Sequence, residues 1–120
     1  MTAYLWIALG SALGGVARYA CQVWAARAIS DTFPWGTLIV NIAGCTLIGF
    51  VATFTDRIAV RQFVMVGILG GYTTFSAFSL ETLVLARDGQ WAKVAGYVLG
   101  SLVFCMLGVW FGQAAAVAVK

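Results

Sequence analysis

Residues 70–79 read Gly-Gly-Tyr-Thr-Thr-Phe-Ser-Ala-Phe-Ser, a polar stretch inside an apolar segment that runs from residue 62 to residue 86. Adjacent glycines and clustered hydroxyl residues favour an interruption of a helix. In lipid, an interruption frees carbonyl oxygens that must find other partners, and such oxygens are good ligands for a hard cation such as Na⁺. The alternative is an unbroken helix whose hydroxyl groups bond back to its own carbonyls. The density of polar residues favours the interruption.

The composition of the whole chain indicates that this stretch is surrounded by lipid. The 120 residues are 62% hydrophobic and only 9% charged, whereas a soluble domain carries about 25% charged residues. Histidine is absent, and the three cysteines are too far apart for a zinc motif. The residues for hydrolytic, redox or metal chemistry are therefore missing. We expect an integral membrane protein that is not an enzyme and binds no nucleic acid.

Charged residues divide the chain into four apolar stretches, each long enough to cross a bilayer core of about 30 Å. We place the spans at residues 3–27, 34–55, 62–86 and 91–118. Short connections join them, which is typical of a single up-down bundle. The predicted fold is one all-α membrane domain, residues 1–120, with four transmembrane helices and a third helix broken at mid-membrane.

The positive charges are balanced between the two sides of this bundle. The N-terminal side carries Arg57, Arg61 and Lys120. The opposite side carries Arg27, Arg87 and Lys93. The positive-inside rule then has no bias to act on. This balance favours insertion in both orientations and an antiparallel homodimer.

Pairs of glycines four residues apart predict faces where helices approach closely. They are Gly10 and Gly14, Gly96 and Gly100, and Gly108 and Gly112. A second copy of the chain is the simplest partner for these faces, and packing within one chain is the alternative.

Two further polar faces follow from residues spaced four apart. One face lies on the second span and comprises Thr37, Asn41 and Cys45. The other lies on the fourth span and comprises Tyr97, Ser101 and Cys105. These are amide and hydroxyl donors without full charge. The rings of Phe75 and Phe78 add electropositive edges one turn apart. Such a lining suits a small anion, because a pore must bind its ion only moderately.

Two charged residues lie within the spans. Arg18 is predicted to reach an aqueous mouth and to attract anions there, or to form a structural contact. Glu81 would repel an anion, so we expect it to be hydrogen-bonded and not to line a pathway.

Three motifs together resemble the fluoride channel family called CrcB or Fluc, over the whole chain. The motifs are residues 14–18 (Gly-Gly-Val-Ala-Arg), residues 35–41 (Trp-Gly-Thr-Leu-Ile-Val-Asn), and residues 70–79 followed by Glu81 and Thr82. The third is the most specific of them.

The resemblance implies a dual-topology homodimer in a prokaryotic inner membrane that exports fluoride passively and relieves its toxicity. By similarity, Asn41 donates to fluoride, Phe75 and Phe78 present ring edges to it, and Tyr97 and Ser101 belong to the polar track. We add Thr37 and Thr74 to the expected pathway for their hydroxyl groups.

The family's structural Na⁺ would lie at the dimer centre, held by main-chain carbonyls of Gly70 and Thr73 from both subunits. Arg18 matches the family's basic residue. Cys105 departs from the pattern, because hydroxyl residues are often found there and a thiol is a weaker donor.

Two other functions are compatible with the size and span number. A small dual-topology multidrug exporter would need a carboxylate in the first span, which here holds Arg18 and no acid. An accessory structural subunit would account for the glycine faces but not for the polar stretch at residues 70–79.

Overall fold

The computed structural model describes residues 1–120 as an all-helical chain. In chain order the helices are α1 (Thr2–Ala28), α2 (Trp35–Phe54), α3 (residues 58–72), α4 (Phe75–Arg87) and α5 (Trp91–Val119). Helices α3 and α4 follow one another directly and together form the third of the four helical segments. This segment begins at Ile58, earlier than the predicted start at residue 62.

The interruption predicted within residues 70–79 is confirmed. It consists of Thr73 (φ −78°, ψ 154°) and Thr74 (φ −150°, ψ 114°), both in extended backbone conformation. The two residues lie about halfway along the third segment, Ile58–Arg87. A further irregularity precedes them, since Arg61–Leu69 is π-helical. A π-helical stretch of this length is rare, and nothing in the sequence predicts it.

Three of the four helical segments are both long and apolar enough to cross a membrane: Trp35–Phe54, Ile58–Arg87 and Trp91–Val119. Helix α1, with 27 residues, is also long enough, but it is the most polar of the four because it carries Arg18, Gln22 and Arg27. A first membrane span at α1 stays a prediction.

The close contacts between helices are made at glycines. On α1, a Cβ atom at Gly10 or Gly14 would overlap main-chain atoms of α3, at Phe63 and Ile68 respectively. On α5, a Cβ atom at Gly112 would overlap the Thr46 carbonyl of α2, and one at Gly108 would crowd the Thr46 hydroxyl. These two pairs therefore pack inside the chain and give no support to a second copy. The expectation that they face a partner was wrong because α3 and α2 already occupy those faces.

The remaining pair is different. Nothing lies within 4 Å of a Cβ atom placed at Gly96, and only the Phe104 ring edge, at 3.9 Å, approaches one placed at Gly100. Helix α4 completes the bundle by packing Phe78 and Leu85 against Tyr97 of α5.

Two neighbouring glycines test this packing. We expect Gly14→Ala to lower the free energy of unfolding by about 1–3 kcal/mol, because its methyl group must displace the backbone at Ile68 and Tyr72. Gly15→Ala is the control, since nothing lies within 4 Å of its Cβ position, and we expect it to be neutral or stabilising by up to about 1 kcal/mol. Unfolding by a denaturing detergent, followed by circular dichroism, measures both. Equal effects at the two positions would contradict the contact between α1 and α3.

Candidate functional site

The two predicted polar faces lie against each other. Helices α2 and α5 run in parallel, and Gly49 packs against the main chain of Val109. The same register places Thr37 level with Tyr97, and Cys45 level with Cys105. The faces of α2 and α5 thus form two sides of one polar seam.

A groove of about 350 Å³ opens along the lower part of this seam. It brings together seven of the predicted site residues, with Cys45 and Cys105 beside them. The seven are Asn41, Gly70, Thr73, Thr74, Phe75, Phe78 and Ser101. No charged side chain lines the groove. Thr37 and Tyr97, also predicted, are buried higher on the seam.

Asn41 holds the interrupted segment in place. Its amide nitrogen Nδ2 donates to the carbonyl oxygen of Thr74 at 3.0 Å, and its Oδ1 accepts from the Thr74 main-chain N–H at 2.8 Å. This pair of bonds satisfies a donor and an acceptor that the interruption would otherwise leave bare. Since the Nδ2 group carries two hydrogens, one N–H remains for another acceptor.

The same interruption frees the carbonyl groups of Gly70 and Thr73. In a continuous helix these oxygens would accept from the N–H groups of Thr74 and Ala77. Here the Thr74 N–H bonds to Asn41, and the Ala77 N–H bonds to the Thr74 hydroxyl at 3.1 Å. The Thr74 hydroxyl thereby caps the first turn of α4. The two residues expected to ligate a cation are therefore among the four, residues 70–73, whose carbonyls have lost their helical donors.

Ser101 provides an unpartnered hydroxyl at the groove. The residue is only 7% exposed, and its Oγ atom makes no hydrogen bond. A buried hydroxyl without a partner costs about 1–3 kcal/mol. Ser101 thus offers a free hydroxyl donor at the groove.

The two phenylalanines differ in their surroundings. Their ring centroids lie 5.4 Å apart with an interplanar angle of 52°. Phe78 is buried and packs against Tyr97, with centroids 5.0 Å apart. Phe75 is 74% exposed, so one chain leaves this ring largely uncovered.

A second, more polar cavity of about 200 Å³ lies at the upper end of the seam. Gln22, Thr37 and Glu81 line it, together with the loop that joins α1 to α2. Gln22 Nε2 donates to the Thr37 hydroxyl at 3.0 Å, and the Tyr97 hydroxyl donates to Glu81 Oε1 at 3.3 Å. The expectation that Glu81 is hydrogen-bonded is confirmed. Arg18 lies one turn before Gln22 on the same face of α1 and is half-buried.

Sequence reasoning missed one polar residue of this upper cavity, Gln22, and one contact behind the interruption. Gln22 carried a usable signal, because it is a polar residue within an apolar segment, four residues after Arg18. The hydrogen bond between the Cys21 thiol and the Tyr72 hydroxyl, at 3.3 Å, carried none. It joins residues far apart in the sequence.

The chain is similar to known proteins over nearly its whole length. The profile of the family described as "CrcB-like protein, Camphor Resistance (CrcB)" matches residues 5–113. The fluoride-specific ion channel FluC of Opitutus terrae is 54% identical, covering 98% of this chain and 94% of its own. The FluC proteins of Paramagnetospirillum magneticum and Rhodospirillum rubrum are each 50% identical. They cover 97% and 98% of this chain, and 96% of their own chains in both cases.

Replacement of Asn41 tests its role in holding the interruption. We expect Asn41→Ala to lower the free energy of unfolding by about 1–3 kcal/mol, because it leaves the Thr74 N–H and carbonyl unpaired. Amide hydrogen exchange at Thr74 should accelerate at the same time. Ser79→Ala is the control, since the Ser79 hydroxyl bonds only to the Phe75 carbonyl within α4. Exchange at Thr74 that is unchanged in the Asn41 variant would refute the bridge.

Proposed function

The chain belongs to the CrcB-like family, and from this membership we propose that it conducts fluoride passively out of the cell and so relieves fluoride toxicity. It is a fluoride-specific ion channel of the cell membrane and not an enzyme. We also propose which residues contact the ion, how two copies assemble and which cation they share.

Fluoride passes along the groove by contact with neutral donors. The observation that carries this proposal is the buried, unpartnered hydroxyl of Ser101, beside the remaining N–H of Asn41 in the same groove. A charged donor would hold a small anion too tightly for release, whereas hydroxyl and amide groups bind it moderately. A groove without any charged lining residue suits this requirement.

The rings of Phe75 and Phe78 present their edges to the ion. The edge of a benzene ring carries partial positive charge. The two rings are tilted by 52° and do not stack face to face. The buried Phe78 also joins the groove to Tyr97. The pathway then continues past Tyr97 and Thr37 into the upper cavity, with the Thr74 hydroxyl near its lower end.

The upper cavity serves as the aqueous entrance. Gln22 and Thr37 offer polar contacts there, and Arg18 attracts anions to the mouth by its charge. Glu81 also lines this cavity, and its Oε1 accepts a hydrogen bond from the Tyr97 hydroxyl, which offsets part of its repulsion of an anion.

Two antiparallel copies form the working channel. The groove is open on one side, and both Phe75 and Gly70 are exposed there in the single chain. A second copy would cover this side and complete the lining. The equal numbers of positive charges on the two sides allow opposite insertion. A C-terminal tag that is accessible from only one side of the membrane in every molecule would contradict this arrangement.

A structural Na⁺ at the dimer centre fits the donor set of the interruption. Main-chain carbonyls are hard oxygen ligands, and those of Gly70 and Thr73 have lost their helical donors. These carbonyls from both subunits would hold the ion. Its charge would fix the register of the two copies and lower the barrier to a nearby anion.

The two alternative functions lose their support. Neither a multidrug exporter nor an accessory subunit is consistent with the similarity to a relative that is named as a fluoride-specific channel. That relative is 54% identical over nearly the whole chain. The absence of an acidic residue from α1 also removes the proton-coupling group that the exporter would need.

Fluoride efflux from proteoliposomes, with a potassium ionophore to dissipate the membrane potential, tests the proposal. We expect Ser101→Ala to slow efflux about tenfold, because a hydrogen bond to a charged group contributes about 1.5–3 kcal/mol. The same variant should leave the fold intact or stabilise it, since it removes a buried unpartnered hydroxyl. Thr53→Ala is the control, because the Thr53 hydroxyl bonds to its own helix at Gly49.

Two outcomes would count against this function. Absence of fluoride efflux from the unaltered protein, above that of empty liposomes, would reject the channel itself. Unchanged efflux in Ser101→Ala would remove Ser101 from the pathway and leave its hydroxyl without a role.

A further inference from the structure

Two of the three cysteines lie at the same level of the groove. Cys45 on α2 and Cys105 on α5 both line it, and the contact between Gly49 and the Val109 main chain, one turn further along, sets their equal height. Both residues are half-buried, free thiols. Each lies one helical turn beyond the donors assigned to fluoride, Asn41 and Ser101. The thiol pair is therefore next to the proposed ion pathway, on the two helices that form it.

We infer that Cys45 and Cys105 form a two-thiol site for a soft cation of the Hg²⁺, Ag⁺ and Cu⁺ class, and that an occupied site blocks the channel. Thiolate sulfur is a soft ligand that selects such cations. These ions are satisfied by two sulfur ligands, whereas structural zinc requires four. The chain has no group of three or more His, Cys, Asp or Glu residues that could hold a metal, so this pair excludes zinc and accepts a two-coordinate ion.

The charge of the bound state favours Hg²⁺ within the class. Each thiol loses its proton to water at the mouth of the groove when its sulfur bonds to the metal. Two thiolates and one divalent cation form a neutral bridge, and the sulfurs stay reduced, so no oxidant is needed. A monovalent ion would leave one negative charge in an apolar groove, which is costly.

The packing of α2 and α5 holds the two thiols in place. One turn beyond the pair, Gly49 packs against Val109, and Gly108 packs against Thr46. These contacts set a short distance between α2 and α5, so the second sulfur is close to a metal that the first already holds. Such intramolecular binding raises avidity by about 10²–10⁴-fold over one thiol alone.

A metal bridge at this level obstructs the anion. It spans from α2 to α5 across the groove, one turn from the Ser101 hydroxyl, and fills space that the ion needs to pass. The block rests on the proposed function, whereas the binding of the metal rests on the two thiols alone. The two parts are therefore measured separately.

Binding is measured on the purified full-length protein by intact mass spectrometry after Hg²⁺ is added and a competing monothiol is supplied. We expect the unaltered protein to retain one Hg²⁺ per chain with the loss of two protons. Cys45→Ser and Cys105→Ser should each retain it at least 10²-fold less well. Cys21→Ser is the matched control, because the Cys21 thiol lies on α1 and bonds to the Tyr72 hydroxyl.

Equal retention by all three variants, or loss of retention in Cys21→Ser, would overturn the site. Circular dichroism and gel filtration show whether the serine variants are folded. If either is not, Cys→Ala at the same position provides the second test, with the same expected loss of retention.

The block is measured by fluoride efflux from proteoliposomes. We expect Hg²⁺ to reduce efflux at least tenfold in the unaltered protein and in Cys21→Ser, with recovery when a dithiol is added. The residual efflux of Cys45→Ser and Cys105→Ser should be insensitive to Hg²⁺. Inhibition that persists in both of these variants, or retained Hg²⁺ without inhibition, would overturn the block. If no fluoride leaves before Hg²⁺ is added, the proposed function fails, while the mass measurement still decides the site.

Discussion

An interrupted helix inside an apolar bundle must find new partners for the backbone groups that it frees, and the rest of this structure follows from how that is done. At Thr73 and Thr74 the chain turns to extended conformation. Asn41, on a different helix, takes one donor and one acceptor of Thr74. The Thr74 hydroxyl takes the Ala77 N–H. The carbonyls of residues 70–73, those of Gly70 and Thr73 among them, are then left without helical donors.

The chemistry of the groove follows from the same constraint. Because Asn41 is used to hold the interruption, the amide brings its remaining N–H to the groove without any charge. Ser101 contributes a buried hydroxyl that has no partner in the chain, and the phenylalanines contribute ring edges. No charged side chain lines the groove. In the proposed pathway, Arg18 would attract the anion by its charge and the neutral donors would let it pass.

The sequence predicted the interruption and most of its surroundings for physical reasons that can be named. Glycine pairs and clustered hydroxyl residues have local consequences, so residues 70–79 indicated the break. Spacing by four residues predicted the two polar faces, and the parallel register of α2 and α5 brings those faces together. The glycine faces were harder. Gly10, Gly14, Gly108 and Gly112 correctly predicted close approach, but the pattern does not say which helix approaches, and all four contacts lie within the chain.

Other features depend on contacts between distant residues and had no local signal. The π-helical stretch Arg61–Leu69 packs against the glycines of α1, and its sequence is that of an ordinary apolar helix. The bridge from Asn41 to Thr74 was also not predicted, since a lone asparagine in a span is compatible with many partners. Gln22, which makes α1 less apolar, has a related origin, because it lines the upper cavity and donates to the Thr37 hydroxyl.

The central claim is that the interruption at Thr73 and Thr74 builds a cation site shared by two copies. The most direct measurement is the fraction of dimer in detergent, determined by analytical ultracentrifugation at matched ionic strength in sodium chloride and in N-methylglucamine chloride. A cation that binds only the dimer stabilises it by mass action, so the account predicts a dimer fraction that rises and saturates with Na⁺. A bulky substitution at Gly70 should abolish this rise, whereas Thr73→Ser should retain it, because the ligands are main-chain carbonyls. An equal dimer fraction in both salts would contradict the account.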